Sequence, residues 1–233
     1  MATTRASYDA TAEVYAQLVG AEVSAATEAP LDRALLAAFV EVAGRGPARR
    51  VADVGCGPGR VAAFLAAHGI QVVGVDVSPA MLAVARDAHP DIQFAEGRLT
   101  ALPVPDRSLA GAVCWYSVIH TPSEQLQGVC AELGRVLAPG GQLLMAFQAG
   151  NGEKVHRTEV YGTEVSLTSY RHAPRRGRPV PHRGRVRGAG PSRARTGARP
   201  RVDAAGLRPR PHRRPWQVAA LDHRGQLASL GPG

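Results

Sequence analysis

The stretch VADVGCGPGRVA at residues 51–62 joins an apolar segment to a helical one through a turn that holds three glycines. Residues 51–54 are typical of the end of a buried strand, and the pattern from Arg60 onward is helical. Glycine lets a backbone approach a ligand closely, and a helix N-terminus presents unpaired N–H donors. A strand, a glycine turn and a helix in this order form the junction at which open α/β sheets bind ligands.

The glycine spacing separates this turn from a dinucleotide-binding one. That fingerprint has glycines at relative positions 1, 3 and 6, and the sixth position from Gly55 is Arg60. The acid Asp53 instead stands two residues before Gly55, and further glycines follow at alternate positions. This arrangement resembles motif I of the class I S-adenosylmethionine (SAM)-dependent methyltransferases, a resemblance that covers roughly residues 5–170. It implies a cofactor site made by Asp53, Gly55, Cys56, Gly57 and Gly59.

The apolar run IQVVGVD at residues 70–76 ends in Asp76, 21 residues after Gly55. An acid about 20 residues beyond the glycine turn, at the end of the second strand, accepts hydrogen bonds from ribose hydroxyls. We therefore predict that Asp76 binds the cofactor, the alternative being a solvated acid at a strand end. The sequence Ser78-Pro79 then predicts a helix start, with a capping residue followed by proline.

The family resemblance places further residues beside the adenine ring of SAM. Val77 and Met81 follow the second strand and are candidates, although Met81 is equally compatible with core packing. Gly97, Arg98 and Leu99 follow the third strand. The family often has an acid where this chain has Arg98, and an arginine side chain has only donors. The resemblance therefore implies a backbone contact at this location rather than a contact from the Arg98 side chain.

Residues 7–19, SYDATAEVYAQLV, are predicted to form a helix that carries Tyr8 and Tyr15 on one face. Many small-molecule methyltransferases of the resembling family have a helix of the form Tyr-Asp-x-x-Ala-x-x-Tyr over the SAM pocket, and this sequence matches it. The resemblance implies that this helix covers the pocket, with Tyr8 as a candidate cofactor contact. Tyr15 is a candidate catalytic residue that would shape the acceptor pocket or shield the methyl group from water. Packing of both rings in the core is an equally weighted alternative.

The fourth strand, at residues 109–116, runs into the sequence WYSVIHTP. The carboxyl ends of strands face the ligand crevice in open sheets. The residues expected near the methyl group or its acceptor are therefore Trp115, Tyr116, Ser117 and His120. Methyl transfer from a sulfonium is an in-line displacement that needs alignment and requires neither a metal nor a covalent nucleophile. For a hydroxyl or amine acceptor, His120 has the ordinary pKa of a general base. The alternative is a loop or helix-cap histidine.

The predicted fold class is α/β, with a Rossmann-like, open and mostly parallel sheet flanked by helices. N-terminal helices are expected to lie over the cofactor pocket. The segment at 151–172 is predicted to form a hairpin around Tyr161-Gly162, either beside the acceptor pocket or in a purely structural role. The expected organisation is a helical cap at 1–48, a SAM-binding core at 49–150, the hairpin insert at 151–172 and a tail at 173–233.

Net charge divides the chain into two unlike parts. The formal charge of +9 arises from about −5 over residues 1–170 and about +14 over residues 171–233. The second part is rich in arginine, proline and glycine, lacks a helical or strand period, and is predicted to be disordered. Arginine-rich segments bind phosphates nonspecifically, so association with nucleic acid through the tail is an alternative function.

A shifted reading frame would account for this tail. With permitted synonymous codons, a neighbouring frame of Pro181–Gly188 encodes LTEAGFEV, and the same frame of Val202–Pro211 encodes STQPAYVLAR. Both peptides resemble segments that the family has at this position. The hypothesis is that the chain is out of frame from near Pro174 onward, so that the sixth and seventh strands are missing. A SAM-binding but catalytically defective remnant is then an alternative. Codons incompatible with the hidden frame would contradict the hypothesis.

Cysteine content and hydropathy bound the cellular setting. The three cysteines make no disulfide framework, which favours a reducing compartment. The opening sequence MATTRASYDA lacks the apolar segment of a signal peptide, and no apolar run reaches the ~18 residues of a membrane span. The sequence thus predicts a cytoplasmic enzyme without a membrane partner, which uses SAM to methylate a small-molecule acceptor at oxygen or nitrogen.

Overall fold

The computed structural model describes residues 2–44, 50–173, 218–221 and 227–228. The predicted tail at 173–233 therefore lies outside the described residues, apart from Ala173 and two short strands. The helices are α1 (Ala2–Val19), α2 (Pro30–Ala43), α3 (Arg60–Ala67), α4 (Pro79–Ala88) and α5 (Leu126–Val136), with 3₁₀ turns at Val118–His120 and Ser123–Gln125.

The strands are β1 (Arg50–Val54), β2 (Gln71–Asp76), β3 (Gln93–Glu96), β4 (Leu109–Trp115), β5 (Leu137–Ala146), β6 (Lys154–Val160), β7 (Thr163–Tyr170), β8 (Val218–Leu221) and β9 (Leu227–Ala228). The main sheet has the order β3-β2-β1-β4-β5-β8-β9, and its first five strands run parallel. The chain moves outward from β1 to β3 and then crosses back to β4. The strand order thus reverses between β1 and β4, which is where open α/β sheets bind ligands. The predicted Rossmann-like sheet is confirmed.

The edge of the sheet beyond β5 differs from the prediction that the sixth and seventh strands are missing. β8 pairs in parallel with β5, from Leu143 opposite Val218 to Ala146 opposite Leu221, and β9 pairs antiparallel with β8. These strands are only four and two residues long. The resembling family has an antiparallel strand beside the fifth, whereas a parallel strand stands here. The backbone groups of β5 are nevertheless paired along this stretch, which an apolar edge requires.

Two apolar layers cover the two faces of the sheet. Val51 of β1 packs with α2 and α3 on one face, and the adjacent Ala52 packs with α5 on the other. β4 is buried at all seven positions. Near-continuous apolar strands are the sequence form of a parallel sheet covered on both faces. Within the described residues, no helix combines the length and apolar composition needed to span a membrane.

The hairpin predicted around Tyr161-Gly162 is present. β6 and β7 pair antiparallel, and Tyr161 and Gly162 have φ values of 57° and 74°. Positive φ at both central residues is the requirement of a two-residue type I′ turn, whose twist matches that of the flanking strands. The hairpin packs against α1 and the 3₁₀ turn that follows β4. Its turn therefore lies beside the carboxyl ends of the central strands.

The substitution Leu65→Ala tests the layer between α3 and the sheet. Leu65 is fully buried, so its truncation leaves a cavity, and we expect the free energy of unfolding to fall by about 2–5 kcal/mol. Leu18→Ala is the matched control because Leu18 is 58% exposed; its effect should stay below about 0.5 kcal/mol. Urea unfolding followed by circular dichroism measures both variants, and equal losses would contradict the assigned packing.

Candidate cofactor and acceptor site

A cavity of about 320 Å³ opens at the carboxyl ends of β1, β2 and β4. α1 covers it from one side, and the turn of the β6–β7 hairpin borders it. Most residues that the sequence assigned to the site line this cavity: Tyr8, Tyr15, Gly55, Gly57, Asp76, Val77, Met81, Gly97, Arg98, Leu99, Trp115 and His120. Asp53, Cys56 and Gly59 are not among the described residues that line it.

The glycine turn has a backbone that other residues rarely adopt. Gly55, Gly57 and Gly59 have φ values of 77°, 52° and 88°. A Cβ on Gly55 would lie 2.2 Å from the Cβ of Ser117, and a Cβ on Gly59 would lie 2.9 Å from the ring of Phe94. Gly55 and Gly57 line the cavity without a side chain that would occupy space there. Gly59 is required instead by the close packing of the Phe94 ring.

Asp76 connects the glycine turn to the end of β2. Its Oδ2 accepts the Gly57 N–H at 2.9 Å, and its Oδ1 accepts the Ser78 N–H at 2.9 Å. Burial raises the pKa of the Asp76 carboxyl, and these two N–H donors oppose the rise. Each carboxylate oxygen has a further lone pair for a ligand hydroxyl. Asp76 is thus a fixed acceptor at the cavity wall, which suits the two ribose hydroxyls of SAM.

Asp53 occupies a different environment from the one that the family resemblance implies. It lies on β1 with only 1% of its surface exposed, and no described residue forms a hydrogen bond with either carboxyl oxygen. Burial raises the pKa of Asp53 to about 7, against the opposing influence of the nearby Ala62 N–H. Cys56 is also buried, and burial raises the pKa of its thiol. The Asp53 and Cys56 side chains are therefore buried in the interior next to the glycine turn, and neither is among the described residues that line the cavity.

The adenine side of the cavity follows the predicted elements. The Ser78 hydroxyl caps α4 by accepting the Met81 N–H at 3.1 Å. Met81 is 1% exposed, which confirms that it packs in the core, and it also lines the cavity, so its contact with adenine stays a prediction. The Arg98 N–H donates to the Ala101 carbonyl at 3.2 Å, and the Ala101 N–H donates back. Because the Arg98 N–H and carbonyl are already paired, the backbone of Leu99 is the better candidate for the predicted contact with adenine.

Asp9 connects α1 to the start of α4. Its Oδ1 accepts the Ser78 hydroxyl at 2.6 Å and the Ala80 N–H at 3.2 Å, at the start of α4. An acid at a helix N-terminus is favourable because it meets unpaired N–H groups. The two adjacent residues therefore have different roles: Asp9 holds α1 in place, and Tyr8 lines the cavity.

Four side chains from three distant segments meet over the cavity. Tyr8 Oη lies 2.7 Å from His120 Nε2, and His120 Nδ1 lies 2.7 Å from the Thr168 carbonyl oxygen. The Tyr15 ring lies 6.2 Å from the Tyr8 ring and 5.8 Å from that of Tyr161. Burial raises the pKa of Tyr8 far above its ordinary value and lowers the pKa of His120. The imidazole is therefore neutral near pH 7.

Sequence reasoning missed some residues of the cavity wall. Arg60 lines the cavity at the start of α3 and forms a buried ion pair with Glu28, from the loop before α2. Tyr161 lines it from the hairpin turn, and Thr4 from the first turn of α1. Only the position of Arg60, directly after the third glycine, gave a usable signal. Tyr116, predicted to be nearby, has φ of 55°, a backbone strain typical of functional sites.

Comparison with known proteins agrees with this geometry. Residues 51–141 match the family described as "Methyltransferase domain". The Rossmann-like sheet and the glycine turn agree with this match, which covers less than half of the chain. SAM is the cofactor of the class I methyltransferases that share this fold.

Two relatives and one solved structure illustrate the similarity. The chain is 37% identical over 109 residues to a demethylmenaquinone methyltransferase of Renibacterium salmoninarum, covering 46% of this chain and 44% of the relative. It is 31% identical over 103 residues to a malonyl-[acyl-carrier protein] O-methyltransferase of Serratia marcescens, covering 44% and 40%. The chain thus spans less than half the length of either relative. The crystal structure of the [4+2]-cyclase SpnF shares the fold, with a TM-score of 0.51 and 24% identity over 66% of this chain and 60% of that one.

The buried carboxyl of Asp53 predicts a pH-dependent stability. Its pKa of about 7 in the folded chain exceeds the ordinary value of about 3.9, so the folded state binds the proton more tightly than the unfolded state does. Raising the pH through this window therefore destabilises the fold. Asp53→Asn does not ionise, and the wild type should lose up to about 4 kcal/mol relative to this variant between about pH 4 and pH 7. Urea unfolding at several pH values measures the difference, which a pH-independent gap would contradict.

Proposed function

We propose that this chain transfers the methyl group of SAM to a small-molecule acceptor. The observation that carries the proposal is the Asp76 carboxylate, which is fixed by the glycine turn and presented to the cavity. A carboxylate at this strand end is the ribose partner expected in open α/β sheets. When bound, SAM supplies an electrophilic methyl group, and the residues of the chain have to bind, align and exclude water.

The residues around the cavity divide into two groups. Asp76, the turn at Gly55 and Gly57, and the segment at 97–99 suit the nucleoside of SAM. The aromatic residues Tyr15, Tyr116 and Tyr161 line the part that remains for the acceptor. This division supports an aromatic or extended apolar acceptor over a highly charged one, because the rings supply apolar contact area.

The names of the relatives support methylation of a small molecule without fixing which one. One acts on demethylmenaquinone and the other on a malonyl group carried by a protein. Their shared feature is the reaction, since both are named as methyltransferases. The cytoplasmic location stays a prediction; the three free cysteines support it.

Calorimetry with SAM and with S-adenosylhomocysteine tests the cofactor proposal, with NAD as the negative control. We expect binding of the two sulfur compounds and none of NAD, because the third dinucleotide glycine is replaced by Arg60. Formation of S-adenosylhomocysteine with a panel of small acceptors then tests turnover. Cofactor binding without turnover on any acceptor would favour the defective remnant.

The substitution Asp76→Ala should weaken SAM binding by about 1–3 kcal/mol, which is the value of hydrogen bonds to a charged group. Glu96→Ala is the matched control, because Glu96 ends the neighbouring strand in register with Asp76 and is not among the described residues that line the cavity. Calorimetry on both variants measures the effect. Unchanged affinity in Asp76→Ala, or an equal loss in Glu96→Ala, would remove Asp76 from the site.

A further inference from the structure

Tyr8 and His120 meet across the cavity although 112 residues separate them. Tyr8 comes from α1, and His120 ends the 3₁₀ turn that follows β4. Their polar atoms lie 2.7 Å apart, and their rings are arranged edge to face with centroids 5.3 Å apart. The contact joins a residue that the sequence assigned to the cofactor with one that it assigned to the acceptor.

The position of each proton in this pair follows from the Thr168 carbonyl. A carbonyl oxygen only accepts, so the neutral His120 ring carries its hydrogen on Nδ1, 2.7 Å from that oxygen. Nε2 then holds a lone pair, and the Tyr8 hydroxyl donates to it. The lone pairs of Tyr8 Oη remain to accept a hydrogen bond from a ligand in the cavity.

Burial, more than the neighbouring charges, keeps both groups neutral. Burial raises the pKa of Tyr8, as do the neighbouring Tyr15, Tyr161 and Asp76, while Arg157 opposes the rise. Burial also lowers the pKa of His120, as does Arg157, against the hydrogen bond to Thr168. Near pH 7 the cavity therefore faces the protonated phenol of Tyr8, whose hydroxyl donates to the Nε2 lone pair of a neutral imidazole.

We propose that Tyr8 and His120 form a proton relay for an acceptor that carries an aromatic hydroxyl group. The inference rests on the proposed methyltransferase function. The acceptor O–H bond breaks as its proton passes to Tyr8 Oη, and the Tyr8 O–H bond breaks as its proton passes to His120 Nε2. The acceptor oxygen bonds the methyl carbon with the electron pair it retains, and the pair of the broken C–S bond stays on sulfur. One imidazolium charge replaces one sulfonium charge, so the net charge is unchanged.

The chemistry of the cavity selects this class of acceptor. Aromatic hydroxyls have pKa values near that of tyrosine, about 10, which brings them within reach of an imidazole base, unlike aliphatic alcohols. A carboxylate acceptor carries no proton to remove, so its methylation would not use the relay. The rings of Tyr15, Tyr116 and Tyr161 line the same cavity and suit an aromatic body. Tyr8 is then the catalytic residue that touches the acceptor, and His120 acts through it.

The test uses the full chain loaded with S-adenosylhomocysteine, and para-nitrophenol as the probe, because its anion has a distinct absorbance and its pKa lies near neutrality. The measured quantity is the ratio of anion to phenol in the bound probe at one pH. Tyr8→Phe and His120→Asn should each lower this ratio about tenfold, the effect of one pKa unit. The matched controls are Tyr170→Phe and His156→Asn, whose residues are not among the described ones that line the cavity.

The outcomes separate the relay from the function on which it rests. Failure of the wild type to bind S-adenosylhomocysteine would overturn the proposed function itself. Cofactor binding with no probe binding, or with the same ratio in all variants, would overturn the relay alone. If His120→Asn lowers the ratio of anion to phenol and Tyr8→Phe leaves it at the wild-type value, the proposed role of Tyr8 would be overturned. Thermal melts and circular dichroism verify that each variant is folded.

Discussion

The hydrogen bond from the Gly57 N–H to the Asp76 carboxylate is the contact on which the site depends. It holds a left-handed turn after β1 against the end of β2. The same carboxylate accepts the Ser78 N–H, and the Ser78 hydroxyl bonds Asp9 of α1. The helix that covers the cavity is therefore connected, through one carboxylate and one hydroxyl, to the turn that forms its floor. Loss of the Asp76 side chain would remove two hydrogen bonds from this connection, while the Gly55 and Cys56 N–H groups would still donate to the Val75 carbonyl of β2.

The location of the site could be predicted from sequence because parallel strands end at one edge of the sheet. The spacing between Gly55 and Asp76 was sufficient for that, and the structure places both residues on the cavity wall. Spacing does not show which face of the turn a residue serves. Asp53 and Gly59 belong to the same motif yet contact the interior, and the requirement for glycine at residue 59 comes from Phe94 on another strand. That contact leaves no local signal.

Contacts between distant segments could not be predicted either, because they too leave no local signal in the sequence. The Arg60–Glu28 pair and the Tyr8–His120 hydrogen bond each join residues that no local period or motif relates. The edge of the sheet is a further case. The composition of the tail indicated no strand, yet β8 pairs with β5 over four residues. Pairing of backbone N–H and C=O groups needs no particular side chains, so a composition argument has little power over a strand this short.

The proposed cofactor and acceptor parts of the cavity are built by different means, and this difference would allow one fold to serve several reactions. The cofactor part uses backbone geometry and one carboxylate at strand ends, which the sheet fixes. The acceptor part uses side chains from α1, from the 3₁₀ turn after β4 and from the β6–β7 hairpin. Substitutions in those three segments change the shape and the proton chemistry of the cavity without touching the Gly57–Asp76 contact. A cyclase with the same fold agrees with this view, since chemistry belongs to the site rather than to the sheet.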